Sequence, residues 1–102
     1  MDRKEYFQKI RGIPWEDVLV KFGWRLHKVP YCLGIMKCVL HKDKTASLAF
    51  RESGFFICYG CGQDGDIFKF VHKVLRSYGN FGRTYRFFKK EFGIEPPSKE
   101  QF

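Results

Sequence analysis

Two short pairs of metal-ligand-type residues lie in the middle of this 102-residue chain. Cys38 and His41 form the first pair, and Cys58 and Cys61 form the second. Two residues separate the members of each pair, so one tight turn can present both side chains to a single ion. Two such turns complete a tetrahedron, the geometry that Zn²⁺ prefers in closed structural sites. The spacing therefore predicts a metal site in which protein side chains fill every position.

Zinc is the ion that this ligand set favours. Iron is the main competitor for a site rich in cysteine, but a lone histidine among three cysteines favours zinc. Because the protein supplies all four ligands, no position remains for a catalytic water, and we predict one structural Zn²⁺. Cys32 has no partner at ligand spacing and is interpreted as a small apolar strand residue. His27 and His72 are interpreted as surface or helix-face residues.

A hairpin must bring the two pairs together, because 16 residues separate them. Residues 47–51 and 55–58 are predicted to be strands, and Glu52-Ser53-Gly54 suits a three-residue bulged turn between them. An earlier strand is predicted over residues 31–37, where Tyr31, Leu33 and Ile35 alternate with smaller residues. This arrangement, two ligand pairs joined by strands, is that of a zinc ribbon.

Helical patterns flank the predicted strands. Trp15, Val18, Leu19 and Phe22 share one helix face, with Pro14 in the first turn and Gly23 at the end. A shorter helix is predicted over residues 3–11. Asp66 suits the N-cap of a helix whose apolar face holds Ile67, Phe70, Val71 and Val74. A break at residues 78–82 precedes a last helix over residues 83–92. The predicted fold is α+β: a small antiparallel β-sheet with flanking helices.

Length and composition limit the class of protein. A chain of this size forms one domain, predicted over residues 1–95, and residues 96–102 are predicted to be a flexible tail. No apolar run approaches the ~20 residues of a membrane span. The N-terminus lacks the apolar stretch of a secretory signal, so a cytoplasmic location is expected, where cysteines serve as metal ligands more often than as disulfides. The net charge of +8 favours a polyanionic partner, with nucleic acid as the first candidate.

The sequence around both ligand pairs resembles the zinc-binding domain of bacterial DnaG-type DNA primases. The run from Cys38 to Leu48, CVLHKDKTASL, resembles that family's first zinc knuckle, Cys-Pro-Phe-His followed by a charged pair and Lys-Thr-Pro-Ser-Phe. The run from Cys58 to Val71, CYGCGQDGDIFKFV, resembles the second, Cys-Phe-Gly-Cys-Gly followed by Gly-Asp and an apolar helix. The likeness extends from about residue 5 to residue 94. Val39-Leu40, Ala46 and Leu48 replace residues usual in the family, and each replacement is apolar.

The resemblance implies a role in DNA replication and primer synthesis. The family's zinc domain helps to choose the initiation site on a single-stranded DNA template and works beside a polymerase domain. The expected partners are therefore single-stranded DNA and, besides it, a primase polymerase domain or a replicative helicase. The chain contains no acidic cluster suited to the magnesium ions of nucleotidyl transfer, so we expect no catalytic residues and no enzyme activity of its own.

Single strands are held by basic grooves lined with aromatic faces, and the hairpin and the residues before it supply both kinds of side chain. The predicted DNA contacts are Lys42, Lys44, Thr45, Ser47, Phe50, Arg51, Phe56 and Tyr59. In a strand, Phe55 and Ile57 point to one side, and Phe56 and Cys58 point to the other. The sequence leaves open which of these two sets packs on the helices.

Two other classes of function remain open from the sequence. In the first class, the zinc ribbon docks on a protein such as a helicase or a separate polymerase subunit, and the positive charge is incidental. In the second class, the chain is a small DNA-binding regulator from a mobile element, and such a regulator would prefer duplex DNA to single strands.

Overall fold

The computed structural model describes residues 2–42, 46–77 and 80–97. Within these residues the chain forms, in order, α1 (Arg3–Arg11), α2 (Trp15–Val20), β1 (His27–Val29), β2 (Cys32–Met36), β3 (Leu48–Phe50), β4 (Phe55–Cys58), β5 (Asp64–Asp66), α3 (Ile67–Val74) and α4 (Phe81–Phe92). The predicted α+β fold with a small antiparallel sheet is confirmed. Strands β1 and β5 were not predicted from the sequence.

The five described strands form one antiparallel sheet whose spatial order is the order of the chain. In one row across the sheet, Ile35 faces Ala49, Ala49 faces Ile57, and Ile57 faces Asp64. In the next row, Gly34 faces Phe50, Phe50 faces Phe56, and Phe56 faces Gly65. Because side chains alternate along a strand, these two rows project from opposite sides of the sheet.

The core lies on the side of the sheet that carries Phe50 and Phe56. Both rings are buried, and the Trp15 ring of α2 packs edge-on against them at centroid distances of 4.6 and 6.2 Å. Phe70 of α3 completes this cluster at 5.5 Å from Phe50 and 5.3 Å from Phe56. Full burial of one such side chain contributes about 1.5–3 kcal/mol, and each edge-on aromatic pair adds about 0.5–1.5 kcal/mol. We call this side the inner face of the sheet.

The opposite side of the sheet is the outer face, defined by Ile35, Ala49, Arg51, Phe55, Ile57 and Asp64. The packing of α2 and α3 decides the question that the sequence left open: Phe56 and Cys58 point inward, and Phe55 and Ile57 point outward. Phe55 is 40% exposed, whereas Phe56 is 1% exposed.

Side-chain caps fix the starts of three helices. Asp2 accepts a hydrogen bond from the Glu5 backbone amide at 2.8 Å and starts α1. Asp66 accepts one from the Lys69 amide at 2.9 Å and starts α3, as predicted. Helix α4 begins at Phe81, two residues before its predicted start, because Asn80 accepts a hydrogen bond from the Gly82 amide at 3.0 Å. Gly82 therefore belongs to the helix and not to the break.

The hairpin turn between β3 and β4 is the predicted three-residue connection. The Arg51 amide donates to the Phe55 carbonyl at 2.9 Å, and the Gly54 amide donates to the Arg51 carbonyl at 3.0 Å. Gly54 adopts a φ of 89°, a conformation that residues with a Cβ rarely adopt. The turn sets the register of β3 against β4 and hence the position of the second ligand pair.

Two further predictions concern membrane-spanning helices and the division of the chain into a domain and a tail. No helix in the described part of the chain is long and apolar enough to cross a membrane. Pro97 is buried, and residues 98–102 lie outside the described ranges. The division into a domain over residues 1–95 and a tail over residues 96–102 remains a prediction.

Candidate metal centre

The ligand-type atoms of Cys38, His41, Cys58 and Cys61 all lie within 4.8 Å of one another. The Cys58 sulfur is 3.8 Å from Nδ1 of His41. Zn–S bonds of ~2.3 Å and Zn–N bonds of ~2.0 Å require ligand atoms separated by roughly 3.5–3.8 Å in a tetrahedron. The cluster is therefore close to the size that one zinc ion requires, and it combines thiolate and imidazole donors, which suit zinc.

Strand direction explains why the two pairs meet. β2 and β4 are both antiparallel to β3, so they run in the same direction and their C-terminal ends lie at the same end of the sheet. Cys38 follows the end of β2, and Cys58 is the last residue of β4. The intervening strand β3 runs in the opposite direction and carries the chain away from the first ligand pair, and β4 then brings it back. The hairpin predicted from the 16-residue separation therefore places the pairs side by side.

Hydrogen bonds to the sulfur atoms hold both turns in shape. The Leu40 amide donates to the Cys38 sulfur at 3.4 Å, and the Gln63 side-chain amide donates to the Cys61 sulfur at 3.4 Å. The Ser47 hydroxyl lies 3.4 Å from the Cys58 sulfur. Such contacts around the ligands orient them and support their ionised form. Ser47 was predicted as a DNA contact, and the structure places its hydroxyl against the metal cluster.

Gly60 permits the close approach of the second turn to the first. A Cβ at this position would lie 3.0 Å from Nε2 of His41 and 3.0 Å from Oγ of Ser47. These separations are shorter than nine in ten of the contacts that real Cβ atoms make. The glycine between Tyr59 and Cys61 therefore leaves room for the imidazole in the cluster.

The electrostatics of the cluster favour a bound cation. The pKa of the Cys38 thiol is raised to about 12, mainly by burial and in smaller part by the neighbouring Cys58 and Cys61 sulfurs, whereas the Leu40 amide acts to lower it. Burial also acts to raise the pKa of Cys58, but hydrogen bonds from Ser47 and from the Cys61 and Gly60 amides outweigh it and lower that pKa. Three adjacent thiolates repel one another, and a divalent cation between them removes that cost.

The remaining cysteine and the other histidines lie apart from the cluster. Cys32 belongs to β2, is half-buried, and its thiol donates to the Gly34 carbonyl at 3.4 Å. His27 is exposed on β1. His72 lies on α3, where its Nδ1 is 2.9 Å from Oγ1 of Thr84. Within the described residues, the group able to hold a metal ion consists of the four residues predicted from their spacing.

Besides Ser47, whose hydroxyl lies against the Cys58 sulfur, the other seven predicted DNA contacts fall into three groups. Lys42, Arg51 and Tyr59 are exposed. Lys44 and Thr45 lie outside the described residues. Phe50 and Phe56 are 0% and 1% exposed and pack against Trp15 and Phe70, so neither ring offers a face to a base. The assignment of these two rings to DNA binding does not hold, because the inner face of the sheet needs them for its core.

Sequence reasoning did not single out two exposed side chains beside Arg51. Tyr31 lies in the turn between β1 and β2 and is 74% exposed. Asp64 lies on β5 opposite Ile57. The short flanking strands β1 and β5 position both residues, and neither strand has the length or the residue alternation that would have revealed it.

The fold and the donor set define this domain as a zinc ribbon. Residues 31–101 match the family model of the CHC2 zinc finger, the zinc ribbon of DnaG. The match covers most of the chain, so the chain belongs to the CHC2 zinc finger family of DnaG-type primases. Its cofactor is one structural zinc.

Relatives and a solved structure agree with this family. The chain is 35% identical over 63 residues to the DNA primase of Deinococcus radiodurans, covering 61% of this chain and 11% of that protein. It is 43% identical over 35 residues to the DNA primase of Helicobacter pylori, covering 33% of this chain and 6% of that one. The crystal structure of the zinc-binding and RNA polymerase domains of Aquifex aeolicus primase matches with a TM-score of 0.69 at 26% identity, covering 95% of this chain and 24% of that chain. The chain thus spans about a tenth or less of the length of these curated relatives.

Proposed function

We propose that this domain binds single-stranded DNA as the template-binding part of a primase, and that the outer face of its sheet is the binding surface. The observation that carries this proposal is the position of Phe55 beside Arg51 on that face, with the ring 40% exposed. Trp15 of α2 and Phe70 of α3 pack on the inner face, and Arg11 of α1 contacts the outer face, where its guanidinium lies 5.3 Å from the Phe55 centroid. A nucleic acid strand can therefore lie along the outer face without displacing α2 or α3, and Arg11 adds a positive charge beside Phe55.

The outer face has the composition that single-strand binding requires. Aromatic rings that stack with bases contribute about 1–3 kcal/mol per base without requiring a particular sequence. Phe55 lies at the hairpin end of the face, and Tyr59, which is 67% exposed, lies at the end near the metal cluster. Ile35 and Ile57 are half-buried between these ends. Arg51 on this face and Lys42, which follows the ligand His41, are both exposed and supply positive charge for the phosphates.

The metal has a structural role in this proposal. We assign Cys38, His41, Cys58 and Cys61 as its four ligands. Bound zinc ties the end of β2 to the end of β4, which keeps the outer face in one shape and holds Tyr59 in place. The ion itself has no contact with the template. Because the relatives are primases, we propose that the domain works beside a polymerase domain in choosing where a primer starts.

A titration of the zinc-loaded protein with short fluorescent DNAs tests the proposal. Single- and double-stranded forms are compared at about 50 mM and about 200 mM salt. We expect the single strand to bind more tightly, with log K falling against log salt at a slope of roughly −3 for about four neutralised phosphates. The double variant Arg51→Glu with Lys42→Glu should abolish binding.

The matched control reverses the same number of charges on another surface. Arg86→Glu with Lys90→Glu changes two exposed side chains of α4 and should leave most of the binding intact. Equal losses in both double variants would mean that net charge, and not the outer face, determines binding. Tighter binding to duplex would favour the DNA-binding regulator. Absence of binding to either form would favour a zinc ribbon that docks on a protein.

A further inference from the structure

Two concavities lie on either side of Arg51. One, of about 410 Å³, is lined by Phe55, Ile57 and Asp64, and the other, of about 470 Å³, is lined by Tyr31 and Glu52. Arg51 lines both. Each concavity thus has one exposed aromatic residue and one acidic residue in its lining, and the two concavities share Arg51. The arrangement has the form of two neighbouring base subsites with a cation for the phosphate that joins them.

We propose that the concavity beside β5 is a guanine-selective base subsite in which Phe55 stacks with the base and Asp64 accepts hydrogen bonds from its Watson–Crick edge. The inference rests on the proposed function, because it assigns a base preference to the surface that binds the single strand. Asp64 is the specificity-determining residue, and Arg51 holds the adjoining phosphate. The subsite beside Tyr31 stacks with the neighbouring base without reading it.

The chemistry of a carboxylate favours guanine among the four bases. An ionised carboxylate only accepts hydrogen bonds, and it has two oxygens to offer. An unpaired guanine presents two adjacent donors, N1–H and the N2 amino group, which match those oxygens. Cytosine and adenine each present one amino group next to an acceptor nitrogen, and that nitrogen repels the second oxygen. Thymine presents one N–H between two carbonyls. Guanine therefore makes two favourable contacts where the other bases make at most one.

The position of Asp64 in the sheet distinguishes it from the other carboxylate. Asp64 lies on β5 in register with Ile57, so its side chain leaves the sheet on the outer side, where Phe55 also lies. Glu52 lies in the turn between β3 and β4. A group on a strand is held more precisely than a group on a turn, and two simultaneous hydrogen bonds require that precision. The cation–π contact of Arg11, 5.3 Å from the Phe55 centroid, helps to fix the stacking ring.

The test measures binding of the zinc-loaded protein to single-stranded oligonucleotides of thymine with one central position varied among the four bases. A single guanine in thymine cannot form the four-stranded structures of guanine-rich DNA. We expect guanine to bind about tenfold more tightly than thymine, near the lower end of the discrimination that a bidentate contact gives. Asp64→Asn should remove this preference and should also strengthen binding to the all-thymine strand, because a negative charge beside the phosphates is lost.

Two controls separate reading of the base from other effects. Glu52→Gln makes the same change of charge in the other concavity and should preserve the guanine preference. Base analogues test the contact without changing the protein: inosine, which lacks the N2 amino group, should lose most of the preference. 7-Deazaguanine, which lacks only the N7 acceptor, should keep it. A loss with 7-deazaguanine instead would mean that Arg51 reads the other edge of the base, and would overturn the role of Asp64.

The outcomes distinguish this inference from the proposed function. Binding of the single strand with equal affinity for all four bases would overturn the inference and leave the proposed function intact. A preference for another base, or a guanine preference that survives in Asp64→Asn, would likewise overturn only the inference. Absence of binding to every single strand would overturn both. Loss of the preference in Asp64→Asn together with its retention in Glu52→Gln supports the subsite.

Discussion

Gly60 and His41 approach so closely that a methyl group on Gly60 would lie 3.0 Å from Nε2 of the imidazole. The two residues belong to different ligand pairs, so this approach joins the two turns of the metal centre. The backbone of the second turn thereby forms one wall of the space that the histidine ring occupies. A side chain at residue 60 would therefore require His41 or Ser47 to shift.

Gly60→Ala should weaken zinc binding. The added Cβ must displace either the imidazole of His41 or the hydroxyl of Ser47, and overpacking of this kind costs about 1–3 kcal/mol. We expect a corresponding loss of zinc affinity in competition with a chromophoric chelator. Gly12→Ala is the control, because a Cβ at Gly12 would meet its nearest neighbour at an ordinary 3.4 Å. Unchanged zinc affinity in Gly60→Ala would show that the turn adjusts without cost.

Removal of the metal should unfold the domain. Zinc binding contributes about 10–16 kcal/mol in zinc-finger peptides, which exceeds the net stability of about 5–15 kcal/mol that is typical of a domain. We expect excess chelator to abolish the cooperative thermal transition followed by circular dichroism, and Cys61→Ala to do the same without chelator. Cys32→Ala, outside the cluster, should retain one zinc per chain and a cooperative transition. A Cys61→Ala protein that kept full stability in chelator would contradict the structural role of the metal.

Phe55 and Phe56 should respond to truncation in opposite ways. Phe55→Ala removes an exposed ring from the outer face and should weaken single-strand binding by about 1–3 kcal/mol with little loss of stability. Phe56→Ala removes a buried ring that contacts Trp15 and Phe70, and should destabilise the fold by about 3–5 kcal/mol. Urea unfolding and DNA titration of both variants give the comparison. Equal loss of DNA binding in folded samples of both would argue against the outer face.

Tyr6 should make the domain sensitive to alkaline pH. Burial, reinforced by Tyr85, raises the pKa of its phenol well above the ordinary value. The folded protein therefore keeps a proton that the unfolded chain loses above a pH of about 10. This contribution to stability is fully present below that pH and is lost as the pH rises towards the folded-state pKa. Tyr6→Phe should flatten the alkaline decline in the melting temperature.

The same substitution should not harm the protein near neutral pH. Among the described residues, the Tyr6 hydroxyl is buried and has no hydrogen-bond partner. Its removal should change the free energy of unfolding by about 0–1 kcal/mol in the stabilising direction. Tyr31→Phe, which changes an exposed ring, is the control. It should change neither the free energy of unfolding near neutral pH nor the alkaline decline in the melting temperature. A marked loss of stability in Tyr6→Phe at neutral pH would mean that a bound water satisfies the hydroxyl.

The parts of the fold that could be predicted carry strong local signals. The hairpin turn at Gly54 and the cap at Asp66 follow from residues that act within a few positions of themselves. β5 could not be predicted in this way, because Asp64 and Gly65 belong to residue types that are depleted in strands. It forms because β4 offers it an unpaired edge, and that edge exists only once the sheet has assembled. β1 similarly depends on pairing with β2.

The candidate site shows the same division. The four clustered side chains could be predicted because tetrahedral coordination limits the spacing of each pair. The orientation of Phe55 and Phe56 could not be predicted, because the alternation of side chains along a strand shows only that the two rings point to opposite sides of the sheet. The rings of Trp15 and Phe70 decide which side is buried, and both are distant in the sequence from the hairpin.

The order of the strands has a consequence for how the chain folds. Each of the five described strands pairs with its neighbour in sequence, so this sheet can grow by successive local pairings. Topologies dominated by local contacts fold quickly. Strands β2, β3 and β4 can thus pair before the ion arrives and place both ligand pairs at one end of the sheet. Capture of the ion would then be a late step that traps a structure already sampled. The refolding rate should therefore rise with zinc concentration and level off once capture is faster than the unfolding of the metal-free structure.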